Sequence, residues 1–120
     1  MKFISHSSQF QYESVFGGMQ IRKEIFPISA NEAFQASLDC VKKLGWEIIK
    51  QNPDLGEINA KTGATLRSWG ENISIRAIAD RPSQTTITVA SDAPFQLFDW
   101  GKSSENEKLF LDQLRKTISR

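Results

Sequence analysis

Residues 72–79 and 85–90 carry the clearest period-two alternation in the chain, and only Arg81-Pro82-Ser83 and a few neighbours join them. A parallel pair needs a crossover of a dozen or more residues, so these two runs must form an antiparallel hairpin. The same argument extends upstream. Residues 46–51 and 57–62 read as strands separated by the turn Asn52-Pro53-Asp54-Leu55-Gly56. A further β-rich stretch, 64–69, is interrupted on both sides by Gly63 and Gly70. The centre of the chain is therefore an antiparallel sheet.

A helix flanks this sheet on each side in the sequence. Ser29 with Glu32 three residues later is a capping box, each side chain satisfying an amide the first turn leaves open. Ala30, Phe34, Leu38, Val41 and Leu44 then recur at helical spacing, Lys42 and Lys43 fall at the carbonyl end, and Gly45 supplies the stop. The second helix begins at Ser103 or Ser104, where Ser104 and Glu107 make another capping box, and Phe110, Leu111, Leu114 and Ile118 form its apolar stripe. Ahead of the first helix, residues 19–26 form a strand with Ile21 and Ile25 on one face, broken by Lys23 and ended by Pro27.

The resulting order is β-α-β-β-β-β-α, an α+β domain over residues 19–120 with both helices on one face of a mostly antiparallel sheet. A curved sheet gripping helices, as in helix-grip and TATA-binding-protein-like folds, suits that order. A ferredoxin-like layout suits it less, because no strand follows the last helix. Residues 1–18 form an N-terminal arm ending at Gly17-Gly18, either a short edge strand through Tyr12 and Ser14 or a segment that docks in an oligomer.

Fifteen basic against fourteen acidic residues leave a formal charge of +1, too little to make a nucleic-acid backbone the default partner. Cys40 is the single cysteine and excludes an intrachain disulfide. With no apolar run at the N-terminus long enough for a leader or a span, the expected location is the cytoplasm. His6 is the single histidine, so a histidine triad or multi-histidine metal site cannot be built within one chain. Cys40 reads as a half-buried helix residue. No cofactor is expected. Gly101-Lys102-Ser103-Ser104 lacks the earlier glycine of a phosphate loop, since Gln96 stands in its place, and reads as a helix cap.

Two similar tetrapeptides stand out. Ser68-Trp69-Gly70-Glu71 precedes the central hairpin, and Asp99-Trp100-Gly101-Lys102 follows it. A Trp-Gly step lets a large ring close a core edge while the chain turns sharply behind it. With the hairpin between them, both are expected at one end of the sheet. They would border a patch of Trp69, Gly70, Glu71, Phe95, Phe98, Asp99, Trp100, Gly101 and Lys102, with Glu71 and Lys102 close enough to pair. The bland alternative is two unrelated core plugs at two bends.

Residues 62–73, 89–91 and 96–102 with Asn106 resemble a group of small uncharacterised prokaryotic domains that carry Ser-Trp-Gly-Glu and, later, Asp-Trp-Gly-Lys before a final helix. Ser103 stands where that pattern has Asn, and either residue caps a helix. The resemblance implies a shared fold and no catalytic residues. The function expected is a non-enzymatic binding or protein-interaction module, self-association included. The alternative is a carrier of a small apolar or amphipathic ligand between sheet and helix.

Overall fold

The computed structural model describes residues 11–16, 19–63, 71–92 and 100–119, with side chains described for 21–63, 71–91 and 106–119. Its elements run β1 (Gln11–Phe16), β2 (Met19–Phe26), α1 (Ala30–Lys43), β3 (Glu47–Asn52), β4 (Glu57–Lys61), β5 (Asn72–Arg81), β6 (Gln84–Asp92) and α2 (Trp100–Ile118). The strands form one sheet in the order β1-β2-β6-β5-β4-β3, every neighbouring pair antiparallel. Both helices lie on the same face. From Met19 onward this is the order read from the sequence, and one edge strand, β1, precedes it. The stretch 64–69 lies outside the described residues.

Helix α1 starts and stops as its sequence dictates. The Ser29 hydroxyl accepts from the Glu32 amide at 3.1 Å, and the Glu32 carboxylate accepts from the Ser29 amide at 3.1 Å. At the other end Gly45 sits at φ 78°, and the Gly45 and Trp46 amides donate to the carbonyls of Lys42 and Val41. This is a Schellman stop. The buried face is rotated slightly from the expected stripe. Ala33, Phe34, Ser37, Cys40 and Val41 are buried, while Ala30, Leu38 and Leu44 lie at its margin. Cys40 is fully rather than half buried.

Strand β2 departs from expectation in a more consequential way. Glu24 and Phe26 are buried and Arg22 is nearly so, whereas Ile21 and Ile25 are partly exposed and Lys23 faces solvent. Period-two geometry admits one face only, and Phe26, which packs into the core, fixes it. Two charged residues are thereby carried inward. In β3, a bulge between Ile48 and Lys50 turns Ile49 out to 55% exposure.

Helix α2 begins at Trp100, a turn earlier than its second capping box implies. Residues 100–103 are already helical, so Ser104 lies inside the helix and not at its N-cap, while the Glu107 carboxylate is buried and accepts from Ser91. Trp100-Gly101 is accordingly the first turn of a helix and not a bend. Between the layers, Phe34, Val41, Ile58, Ile73, Ile75, Ile87, Val89, Phe110, Leu111 and Leu114 form one core, and Trp46 stacks on Phe110 with centroids 6.3 Å apart.

The β3–β4 turn docks directly onto β5. Gly56 sits at φ 67°, its carbonyl accepts from the Ala77 amide at 2.8 Å, and a Cβ there would lie 2.3 Å from the Ala77 carbonyl oxygen. Gly45 shares the positive φ, but a Cβ would meet nothing within 4 Å. Urea unfolding should therefore separate the two: Gly45→Ala should cost about 1 kcal/mol, the left-handed penalty alone. Gly56→Ala should cost at least about 3 kcal/mol, because backbone must also move.

Candidate functional site

The inner face of the sheet is divided. Under α1, the inward positions of β4 and β5 are Ile58, Ala60, Ile73, Ile75 and Ala77, all apolar. Under α2, β2 contributes Arg22 and Glu24, and β6 ends on Ser91. Glu107, Leu111 and Arg115 recur every four residues along α2 and so share one face of it. Their charges are the reverse of those on β2. Arg115 reaches Glu24, and Glu107 approaches Arg22.

The two pairs differ in geometry. Arg115 Nε and Nη2 each donate to a Glu24 oxygen at 2.7 Å, a closed fork around a carboxylate that is fully buried. The hydrogen bond to Glu24, aided by a second to Asp112, pushes the Arg115 pKa above its ordinary value. The other pair is looser: Arg22 Nε lies 3.7 Å from Glu107 Oε1, while Glu107 Oε2 accepts from the buried Ser91 hydroxyl.

Glu71 belongs to the same assembly. It is 3% exposed, and its carboxylate accepts from Asn106 Nδ2 at 2.8 Å, one residue before Glu107. Its amide donates to Thr62 Oγ1 at 2.8 Å, and its carbonyl accepts from the Thr62 amide at 3.0 Å. The start of β5 is thus fastened both to the end of β4 and to α2.

Strand register gathers the connections of this end. Asn72 pairs with both Lys61 and Asp92, and Asp92 pairs with Met19. The strand ends Lys61, Asn72, Asp92 and Met19 therefore stand side by side at one end of the sheet. Of the residues expected to form the patch, Glu71 is placed there. Trp69, Gly70, Phe95, Phe98 and Asp99 lie outside the described residues. Trp100, Gly101 and Lys102 form backbone of the first turn of α2, and the Glu71–Lys102 pairing falls outside what is described.

Sequence reasoning passed over Arg22, Glu24 and Arg115, and it read Ser91 and Asn106 only within the resemblance and Glu107 only as a capping residue. A signal existed for two of them. Glu107 falls three and four residues before Phe110 and Leu111, squarely on the apolar stripe, and Glu24 falls two before Phe26. A charge on a buried stripe is the informative observation.

Other groups carry less chemistry. Burial raises the pKa of the Cys40 thiol above 9.0, a Thr117 hydroxyl contact at 3.6 Å opposing it, so the neutral, unreactive form prevails at neutral pH. No group of three or more His, Cys, Asp or Glu among the described residues is placed to hold a metal. Open depressions lie elsewhere, among them one of about 500 Å³ around Phe26, Ile28 and Ile118 beside Arg115. A second, about 490 Å³, is on the outer sheet face around Asn59, Ser74, Arg76 and Thr88. Another, about 410 Å³, lies between the start of α1 and the β3–β4 turn, around Phe34, Leu55 and Ile78.

The closed fork makes a direct stability prediction. Arg115→Met leaves Glu24 buried without its fork and should cost about 3 kcal/mol in urea unfolding. Adding Glu24→Leu to that variant should recover most of the loss, because removing one partner of a buried ion pair costs more than replacing both with apolar residues.

No family model and no curated protein matches the sequence. Solved structures with a similar fold include the di-domain ARO/CYC BexL from the BE-7585A biosynthetic pathway, with TM-score 0.64 and 8% identity over 84% of this chain and 46% of that chain. The chain thus spans about half the length of that protein. CalU16 from Micromonospora echinospora matches with TM-score 0.59 and 10% identity over 88% of this chain and 79% of its own. The conserved protein of unknown function EF2215 from Enterococcus faecalis matches with TM-score 0.53 and 12% identity, over 93% of this chain and 78% of that one. These identities speak for architecture alone, and the architecture is that of a helix-grip fold: an antiparallel sheet with both helices held against one face.

Proposed function

We propose that this domain is a non-enzymatic binding module for a small amphipathic ligand. The ligand is held at the end of the sheet where residues 62–71 and 93–99 meet the start of α2. Its polar part hydrogen-bonds within the set Arg22, Glu71, Ser91, Asn106 and Glu107. Its apolar part is bordered by Trp69, Phe95 and Phe98 of the two connections and by Trp100 at the start of α2. No helix of the described residues is long and apolar enough to cross a membrane. Together with the lone buried thiol, this favours action in the cytoplasm, on a ligand met in water.

The observation that carries this reading is the burial of charge on the inner face directly beside an apolar core. Glu24, Glu71 and Glu107 are each at most 3% exposed. Well-packed hydrophobic residues in place of buried ion pairs are often neutral or stabilising. The Glu24–Arg115 fork already ties α2 to β2, and the polar set around Glu107 adds hydrogen-bonding groups beside it that a ligand can engage. Apolar walls with a few converging polar groups are the usual make-up of a small-molecule site. The likeness in fold to a protein of a biosynthetic pathway supports a small molecule over a macromolecule.

Native mass spectrometry on protein purified without denaturation tests the reading. A stoichiometric added mass is expected, and Glu107→Gln or Arg22→Gln should weaken its retention about tenfold, or ~1.4 kcal/mol. A bare chain in every preparation, with tryptophan fluorescence unmoved by amphipathic probes of any head-group charge, would sink it.

A further inference from the structure

We propose that β1 is a self-association edge, pairing antiparallel with β1 of a second copy about a two-fold axis through Ser14. The two free edges of the sheet are unlike. At β3 the ladder is broken by a bulge, and Glu47, Lys50 and Gln51 are exposed along it. A bulge and charged residues are the usual protection against a foreign strand. At β1, six consecutive residues pair with β2 without interruption, Gln11 with Glu24 through Phe16 with Met19. The sequence there, Gln-Tyr-Glu-Ser-Val-Phe, has no proline, no lysine and one charge. No described strand pairs with its outer side.

Register decides what fits that side. Only two residues separate Phe16 from its partner Met19, and so short a hairpin loop closes on a hydrogen-bonded pair. Alternation then directs the amides and carbonyls of Phe16, Ser14 and Tyr12 toward β2. Those of Gln11, Glu13 and Val15 are directed toward the free edge.

A second copy brought in by a two-fold perpendicular to the sheet keeps both helix layers on one side and pairs residues of equal parity. Centred on Glu13, the axis would oppose two like charges, which destabilises. Centred on Ser14, it sets Glu13 opposite Val15 of the other copy, and both have outward-directed amides and carbonyls ready to exchange hydrogen bonds. The same register sets Tyr12 opposite Phe16 in a non-hydrogen-bonded pair, the closer kind, where aromatic residues contribute most. The sequence of β1 is self-complementary in this register. Two six-stranded sheets become one continuous sheet. A second copy is therefore a better occupant than an unrelated extended peptide, which would need to match the same spacing by chance.

The test uses the full chain. Light scattering across a concentration series should show a mass rising toward twice 13.6 kDa. Val15→Pro removes an outward amide and leaves the ladder to β2 intact, so it should hold the chain at the monomer mass with an unchanged circular dichroism spectrum. Ser14→Cys places thiols across the axis about 4.5 Å apart at Cα, within disulfide range, and should give covalent dimer under mild oxidation. Glu13→Cys should cross-link at least about tenfold more slowly, since its equivalents lie off the axis on diagonal positions. Buried Cys40 does not compete. A chain monomeric at every concentration, with no faster cross-linking at position 14 than at 13, overturns the proposal and leaves the edge to a foreign strand. Faster cross-linking at 13 overturns the register.

Discussion

The inward turn of Arg22 and Glu24 on β2 is the constraint from which the rest of the arrangement follows. Charges on a buried sheet face must be met by opposite charges or stay in water. The β1–β2–β6 side of the inner face therefore cannot be covered by an ordinary apolar stripe. It needs a helix with a cation near one end of the contact and an anion near the other. Helix α2 supplies Arg115 and Glu107 in that sense, with Leu111 between them on the same row. Reversing the helix would set like charges together. The polarity of α2 across the sheet is thus fixed electrostatically, while its depth is fixed by Phe110, Leu111 and Leu114, all fully buried.

Helix α1 is released from that task and covers the apolar half. Its face of Ala33, Phe34, Ser37, Cys40 and Val41 is small near the sheet, allowing the backbone close to β4 and β5. The helices meet through Cys40 and Thr117, and Trp46, which follows the α1 stop, stacks on Phe110 of α2. At the far end, the Thr85 hydroxyl holds the Ile28 carbonyl at 2.8 Å, tying β6 to the segment entering α1. Gly56 ties the β3–β4 turn to β5 there as well. One end of the molecule is closed by these contacts, and at the other stand the strand ends Lys61, Asn72, Asp92 and Met19.

Much of the architecture was legible because it rests on local rules. Ser29 and Glu32, Gly45, and the Arg81-Pro82-Ser83 turn each announce an element boundary through chemistry confined to a few residues. The inner face of β2 was not legible in the same way. Ile21 and Ile25 outweigh Arg22 and Glu24 on any hydropathy pattern, and what overrules them is nonlocal: the needs of Phe26 and the arrival of Arg115, ninety-one residues from Glu24. The start of α2 failed for a related reason. Ser104 and Glu107 satisfy a local rule, but the helix already runs from Trp100, and Glu107 is buried where it accepts from Ser91 of β6. Glu71 was singled out for its place after a Trp-Gly step, and its recorded side-chain partner is Asn106.

The two Arg–Glu pairs between β2 and α2 divide the work between them by their geometry. A bidentate fork at 2.7 Å on both arms satisfies a carboxylate in its own plane and makes little allowance for exchange of partners. Arg22 Nε and Glu107 Oε1, 3.7 Å apart, are beyond hydrogen-bond length, and the energy of that approach depends on the dielectric around it more than on contact. Ser91 and the adjacent Asn106–Glu71 bond place further hydrogen-bonding groups beside that pair. Under the proposed function, a polar ligand group entering there would add to these interactions instead of breaking a closed fork. The tight pair in the last turn of α2 holds the helix on β2 at the other end of the contact, so under the proposed function the sheet end beside Glu71, and not the fork at Glu24, would be the place where binding and fold are compatible.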